Sequence, residues 1–473
     1  MCGVFGIIGH PEAKQFFPTV LASLQHRGHD AAGVAGSVAE NPNCIETEKG
    51  IGKIASVITP ASMEKFIGNA FIGHTRYATR NESMSIREIH PHWAQSMRGK
   101  LAIVSNGDLI NTKILTESIK KYNVKIYTNN DAEMIAALIN IHIQKNGKKV
   151  FQAIKETMKL IRGGYAALMM MEDDDRVFAF RDPWGIRPLH LGEFNINGQK
   201  CVAFSSETCA FDIIQRYNQA KYPNSKISYT HREVKPGEVV AADSKSMLES
   251  SLFQEPYKDR IGCVFEGIYF SRPDSRQRGE SFQMLRERMG MELFHESPID
   301  ADLVTAVPKG GIPSAVGFAK AADLPYSIAI LEEPTTGGTR SFTTNPNERQ
   351  ALAIMKYNIL SDVVAGKRII VIDDSIVRGT TTRLLVKGLK NAGAKEIHLR
   401  IPCPPYKYAC HYGIETRDPE TLISHGRTVD QIREEIGATT LAYLSIEGLY
   451  KAIQKKQSLF CDECLTNRSP FDN

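Results

Sequence analysis

A cysteine stands at position 2, directly behind the initiator methionine. A side chain this small is compatible with removal of Met1, which would leave a thiol and a free α-amine on one residue. An unperturbed α-amine titrates at about 7.7–8.0, so at neutral pH part of it is unprotonated and can act as a base. Nucleophile and base then share a residue, as in N-terminal threonine nucleophiles. Taken alone, a cysteine here is better explained by chance. It is followed, however, by several blocks of polar residues set in glycine-rich or apolar surroundings. These are His26-Arg27-Gly28, then Gly73-His74-Thr75-Arg76-Tyr77-Ala78-Thr79, then Ser105-Asn106-Gly107-Asp108-Leu109. Asn130-Asp131-Ala132-Glu133 and the block from Arg181 to Leu189 complete the set.

A second chemistry is written between Arg368 and Thr382. An apolar run ends in the adjacent carboxylates Asp373 and Asp374, followed by Ser375, Arg378, Gly379, Thr380, Thr381 and Thr382. A strand, a short loop and a helix N-terminus would set backbone N–H groups and hydroxyls around a 5′-phosphate. The carboxylates would accept hydrogen bonds from vicinal ribose hydroxyls. The C-terminal end of a parallel strand is where open α/β sheets bind ligands. The bland alternative is a strand–loop–helix with polar caps. A third feature is the CxxC of Cys461 and Cys464, moderate evidence for metal or redox chemistry. Cys263 and Cys410 lie far from it in the chain, and chemistry alone does not join them to it.

Taken together, these blocks resemble the class II, N-terminal nucleophile, glutamine amidotransferases. Over nearly all its length the chain is similar to the glutamine phosphoribosylpyrophosphate amidotransferase family, which makes phosphoribosylamine at the first step of purine synthesis. The resemblance implies an α/β two-domain protein: an N-terminal nucleophile α/β/β/α sandwich followed by a parallel-sheet type I phosphoribosyltransferase fold. It implies that Cys2 attacks the glutamine side-chain amide, with the Asn106 side chain and the Gly107 N–H holding the oxyanion. Arg76 would grip the glutamine carboxylate with its planar fork, Thr79 would line the same site, and Asp131 would take the ammonium. Phosphoribosyl pyrophosphate (PRPP) would lie on Asp373, Asp374, Ser375, Arg378, Gly379, Thr380 and Thr381, with Mg²⁺ at the two aspartates. One branch of the family carries a [4Fe–4S] cluster ligated from the contexts of Cys263, Cys410, Cys461 and Cys464. Four thiolates suit Zn²⁺ as well. The family also suggests a homotetramer.

The chain departs from the family pattern in several places. His29-Asp30, Arg80 and Ser105 replace usual residues, the last standing where a histidine commonly precedes the Asn-Gly pair. The pyrophosphate loop reads Pro308-Lys309-Gly310-Gly311, with a lysine for the usual acid and no hydroxyl. Its glycines can still cradle phosphate through backbone N–H groups. Residues 332–342 begin Glu332-Glu333 where the family carries a cation. Arg340, Arg349 and Lys356 are the cations that remain, and Ile354 stands for a usual arginine. These changes leave two alternatives open: a relative that aminates another phosphosugar, or a non-catalytic PRPP or nucleotide sensor.

Positioning these residues requires two kinds of architecture. In the first half, β-type runs at residues 2–9, 70–78, 100–106, 165–171, 176–181 and 201–206 alternate with helical stretches such as 131–145. In the second half, short strands at 302–308, 326–331, 368–373 and 396–402 alternate with helices at 311–322 and 380–394, which argues for a parallel sheet. The change in character sets a glutaminase domain at 2–250, a phosphoribosyltransferase domain at 251–455 and a tail with the CxxC at 456–473. The 473 residues carry a net charge of +5, too mild for a nucleic-acid-binding stripe. No run is long and apolar enough to span a bilayer, and the N-terminus lacks a signal-peptide pattern. The expected compartment is the cytoplasm, and the expected partners are glutamine and PRPP. Nine cysteines are too few for a disulfide scaffold, and Cys44, Cys201, Cys209 and Cys403 read as ordinary thiols.

Overall fold

The protein is represented by a computed structural model that describes residues 1–38, 44–77, 85–96, 98–147, 149–224, 226–253, 260–333 and 356–471. It divides into two compact units. One comprises Met1–Gly262 with His411–Glu415, the other Cys263–Cys410 with Thr416–Asn473.

The first unit contains two antiparallel sheets. Their strands in chain order are β1 (Gly3–Ile8), β2 (Ala31–Val38), β3 (Ile45–Ile51), β4 (Phe66–Arg76), β5 (His92–Ser96), β6 (Gly99–Leu109) and β7 (Gly163–Met171). Then come β8 (Asp174–Arg181), β9 (His190–Ile196), β10 (Gln199–Ser205), β11 (Ile227–Glu233), β12 (Glu238–Ala242) and β13 (Leu248–Leu252). One sheet has the order β11-β9-β10-β1-β4-β2-β3, the other β13-β12-β8-β7-β6-β5.

Alternation of side chains along each strand builds the layers. In β1, Phe5 and Ile7 pack with Phe16, Phe17 and Leu21 of the helix Ala13–Ala22. Val4 and Ile8 face the other way and join Val104, Leu168 and Ala179 of the second sheet. In β6, Ala102 and Val104 share that inter-sheet core, while Leu101 and Ile103 pack with Ile135 and Ile139 of the helix Asp131–Asn146. The result is the expected helix–sheet–sheet–helix sandwich. The helix Asp131–Asn146 starts where the Asn130 side chain accepts from Ala132 N–H at 2.9 Å, and it stops at Gly147, whose φ of 54° is left-handed.

Between β8 and β9 the chain turns around one carboxylate. Buried Asp182 accepts from the N–H groups of Tyr165, Trp184, Ile186 and Arg187 at 3.0–3.2 Å. Beside it, buried Arg181 donates to the carbonyls of Arg187, Val234 and Gly185. This explains how Arg181, Asp182 and Arg187 lie buried inside the unit.

The second unit is built on a four-stranded parallel sheet. Its order is Leu303–Ala306, Arg368–Ile372, Glu396–Ile401, Thr440–Tyr443. Helices Ile312–Ala322 and Thr380–Asn391 follow the first two of these strands. The expected strand at 326–331 forms only in part. Tyr326 makes a single parallel bridge to Val304, Ile328 is exposed, and regular pairing begins at Ile330–Glu332 against Tyr357–Ile359. No described helix is long and apolar enough to cross a membrane.

Candidate active sites

Cys2 directly precedes β1, so the central strand of the first sheet fixes the chain end. Its backbone is tied on both sides. The Cys2 N–H donates to Asn106 Oδ1 at 3.2 Å, and its carbonyl accepts from Arg27 Nε at 2.9 Å. Arg27 is in turn held by Glu207, with Nη1 at 2.6 Å from Oε1, and His26 Nε2 meets the same oxygen at 2.7 Å. Burial alone would raise the Glu207 carboxyl, but the charges and hydrogen bonds of His26 and Arg27 win and hold it well below the ordinary value. The motif of His26, Arg27 and Gly28 thus anchors Cys2. Gly28 is required because a Cβ there would lie 2.4 Å from the Arg76 backbone. Nothing in the sequence pairs Arg27 with Glu207, which lie 180 positions apart.

Asn106 sits on β6 and is buried. Its Oδ1 is used by Cys2, whereas Nδ2 has no partner among the described residues. A buried unpaired donor costs about 1–3 kcal/mol unless something accepts from it. Gly107 follows, pressed on β7 so closely that a Cβ would lie 2.0 Å from the Gly164 carbonyl. Only glycine fits there. Arg76 ends β4, and its Nε is a second buried donor without a partner among the described residues. Asp131 Oδ2 accepts from Leu109 N–H at 2.7 Å, which ties the start of its helix to the end of β6. Thr79 and Arg80 lie outside the described residues.

In the second unit, the strand Arg368–Ile372 delivers Asp373 and Asp374 at its C-terminal end. Asp374 N–H donates to Asp373 Oδ1 at 3.0 Å, and Ser375 Oγ donates to Asp374 Oδ1 at 2.8 Å. Loss of water around Asp373 and the charge of Asp374 push its carboxyl well above the ordinary value, with Lys356 the opposing cation. Adjacent oxygens carrying this repulsion form a donor set suited to a hard divalent cation. Gly379 caps the helix Thr380–Asn391 with φ 73°, and a Cβ there would lie 2.2 Å from the Ile423 side chain. Thr380 and Thr381 open that helix, where N–H groups are exposed to an anion.

The loop of residues 308–311 packs on Asp374. A Cβ on Gly310 would lie 1.8 Å from Asp374 Oδ2, so the loop's glycines admit the acid. Lys309 Nζ pairs with Glu332 Oε2 at 3.0 Å. Two of the three positions whose charges are reversed against the family pattern therefore pair with each other, Glu333 being the third. Arg340, Arg349 and Ile354 lie outside the described residues.

Cys263, Cys410, Cys461 and Cys464 are all buried in the second unit. Burial raises the Cys461 and Cys464 thiols well above the ordinary value, and the charges of Cys263 and Cys410 raise them further. The four buried thiols thus oppose one another's ionisation. Among the described residues, no three or more His, Cys, Asp or Glu side chains are gathered as metal ligands are.

Residues 79–212 match the family model of a glutamine amidotransferase domain, and residues 283–424 that of a phosphoribosyl transferase domain. Fold and sites together define a glutamine amidotransferase joined to a phosphoribosyltransferase. The amidophosphoribosyltransferase of Synechococcus elongatus is 38% identical over 472 residues, covering 99% of this chain and 91% of its own. That of Bacillus subtilis is 38% identical over 467 residues, covering 98% and 92%. The solved structure of glutamine phosphoribosylpyrophosphate (PRPP) amidotransferase from B. subtilis, complexed with ADP and GMP, superposes with a TM-score of 0.86 at 36% identity. That match covers 99% of this chain and 97% of the other. The chain belongs to the amidophosphoribosyltransferase family.

Proposed function

We propose that this chain converts glutamine, PRPP and water into 5-phosphoribosylamine, glutamate and pyrophosphate, with Cys2 as the nucleophile. The observation that carries the reading is the buried Asn106 amide, whose Oδ1 serves the nucleophile's own nitrogen while Nδ2 has no partner among the described residues. After removal of Met1, the α-amine takes the thiol proton as Sγ attacks the glutamine amide carbon. Asn106 Nδ2 and the Gly107 N–H receive the oxyanion, and the amine returns the proton to departing ammonia. Water then cleaves the thioester. Arg76 holds the substrate carboxylate, Asp131 its ammonium, and Thr79 completes that pocket.

Ammonia displaces pyrophosphate at C1 of PRPP. The 5′-phosphate rests on residues Ser375 to Thr381, including Arg378 and Gly379, and the ribose hydroxyls on Asp373 and Asp374. Mg²⁺ held by the two aspartates would neutralise charge on the leaving pyrophosphate. Lys309 pairs with Glu332 and offsets one of the two acids at 332–333, so PRPP as the acceptor rests on the segment from Asp373 to Thr381. Glutaminase and phosphoribosyltransferase functions are assigned to residues 2–250 and 251–455. Cys263, Cys410, Cys461 and Cys464 would hold a [4Fe–4S] cluster that pins the tail, residues 456–473, and the protein would act as a cytoplasmic homo-oligomer.

Two measurements test this. In an assay with glutamine and PRPP, phosphoribosylamine should form with both substrates and Mg²⁺ present. Glutamine hydrolysis indifferent to PRPP, with no phosphoribosylamine, would sink the assignment. Protein purified without oxygen should show the broad visible absorption of an iron–sulfur cluster and lose thermal stability when the iron is chelated. A colourless protein carrying one zinc per chain would replace the cluster with a zinc site.

A further inference from the structure

We infer that His74 and His90 are positioning residues for amide hydrolysis: they hold the Ser105 backbone at its N–H and its C=O and so fix the oxyanion donors of Asn106 and Gly107. The inference rests on the proposed role of that pair.

Strand β6 runs beside β7 as far as Leu109, which is opposite Gly163. On its other edge, pairing with β5 ends where His92 meets Ile103. In an antiparallel strand the N–H and C=O of one residue point to the same side, and the side alternates along the chain. Residues 105, 107 and 109 therefore turn their backbone groups to an edge that no described strand covers. Buried groups on such an edge need other partners. Ser105 N–H donates to His90 Nδ1 at 3.3 Å, and Ser105 C=O accepts from His74 Nε2 at 3.1 Å. Leu109 N–H donates to Asp131 Oδ2. Side chains replace the missing strand on both sides of Gly107, whose N–H shares that edge.

The two imidazoles act as fixed struts. Their rings stack at 4.0 Å with 13° between planes, and both are buried. His90 Nδ1 accepts and His74 Nε2 donates, and burial favours the neutral form of both rings. His90 is itself pinned, because Lys49 Nζ donates to the carbonyls of its neighbours Ile89 and Pro91 at 2.7 and 3.1 Å. Gly33 lets the His90 carbonyl approach, since a Cβ there would lie 2.1 Å from it.

His74 stands opposite Val4 of β1. Its bond to Ser105 thus ties the sheet that carries the nucleophile to the sheet that carries the oxyanion donors. The family's usual imidazole at position 105 is a serine here. In this chain two imidazoles reach the Ser105 backbone instead, His74 from β4 of one sheet and His90 from the segment just before β5 of the other. Neither is a catalytic residue, because each touches only the Ser105 backbone in this role.

Paired amide substitutions test reach at constant polarity. A glutamine places its amide nitrogen near an imidazole ε position, and an asparagine places its oxygen near a δ position. H74Q and H90N should keep most of the glutamine-dependent kcat. H74N and H90Q should lose about 10–100-fold in kcat with little change in the KM for glutamine, short of the loss on deleting an oxyanion donor. Dividing kcat with glutamine by kcat with ammonia in the same preparation corrects for the folded fraction. Equal ratios for the two amides at both positions overturn the proposal. Failure of the underlying reading looks different: C2A would then keep the glutamine-dependent rate whatever the histidines do.

Discussion

Cys2→Ala is expected to lower glutamine-dependent phosphoribosylamine formation by at least about 10⁴-fold while synthesis from added ammonia continues. The substitution removes the one atom proposed to form the thioester and little else. Both hydrogen bonds of Cys2 run through its backbone, to Asn106 and from Arg27, so alanine keeps them. The strand β1 behind it is wholly buried and unaffected. The second unit has its own parallel sheet, and its proposed chemistry needs ammonia but no thiol. Loss of activity without loss of fold is therefore the expected pattern. The check is the ratio of rates with glutamine and with ammonium chloride at one PRPP concentration, with mass spectrometry of the N-terminus to verify removal of Met1. A variant within tenfold of the parent on glutamine would remove Cys2 from the mechanism.

The parts of the two sites that were legible in sequence are those built locally. The strand, the carboxylate pair and the glycine-capped helix from Arg368 to Asn391 are contiguous, so their geometry follows from backbone rules over a few residues. The layered halves were legible because alternation has a period of two and each face of β1, β6 and β7 is apolar. What was not legible depends on register between distant strands. Arg27 and Glu207 are 180 positions apart and meet only because β1 lies beside both β10 and β4. Lys309 and Glu332 each stood out as a departure from the family pattern, but their pairing needs the short strand Ile330–Glu332 to be placed. His90 and His92 flank Pro91, and nothing in their spacing announces a ring stack against β4. Buried polar contacts of this kind follow from tertiary packing, to which hydrophobic periodicity is blind.

Together with His74, those histidines are expected to make the first unit acid-sensitive well above the pH at which carboxylates protonate. Burial, with the nearby charges of Arg76 and Lys49, lowers His74 and His92 to about 3 and His90 well below its ordinary value of 6.5. The charged and titratable groups around them are Arg76, Lys49, the N-terminus and one another. In the folded protein the three rings stay neutral as pH falls, whereas in the unfolded chain each takes up a proton below about 6.5. The unfolded state then binds more protons, so stability falls with falling pH. The loss begins near 6.5 and continues toward the depressed folded values. At pH 5 it amounts to about 2 kcal/mol per histidine. Glu207 acts in the same direction further down: its folded value is depressed, so its contribution is present above 4.5 and is lost as pH falls below that. Against a typical domain stability of about 5–15 kcal/mol, the histidines alone can bring unfolding to room temperature near pH 5. Thermal unfolding followed from pH 8 to pH 4.5 should show a steep fall that begins below 6.5, and His92→Leu should flatten it by about one proton's worth. A melting temperature constant between pH 7 and pH 5 would mean that the rings exchange protons freely with solvent and are not the buried neutral struts described above.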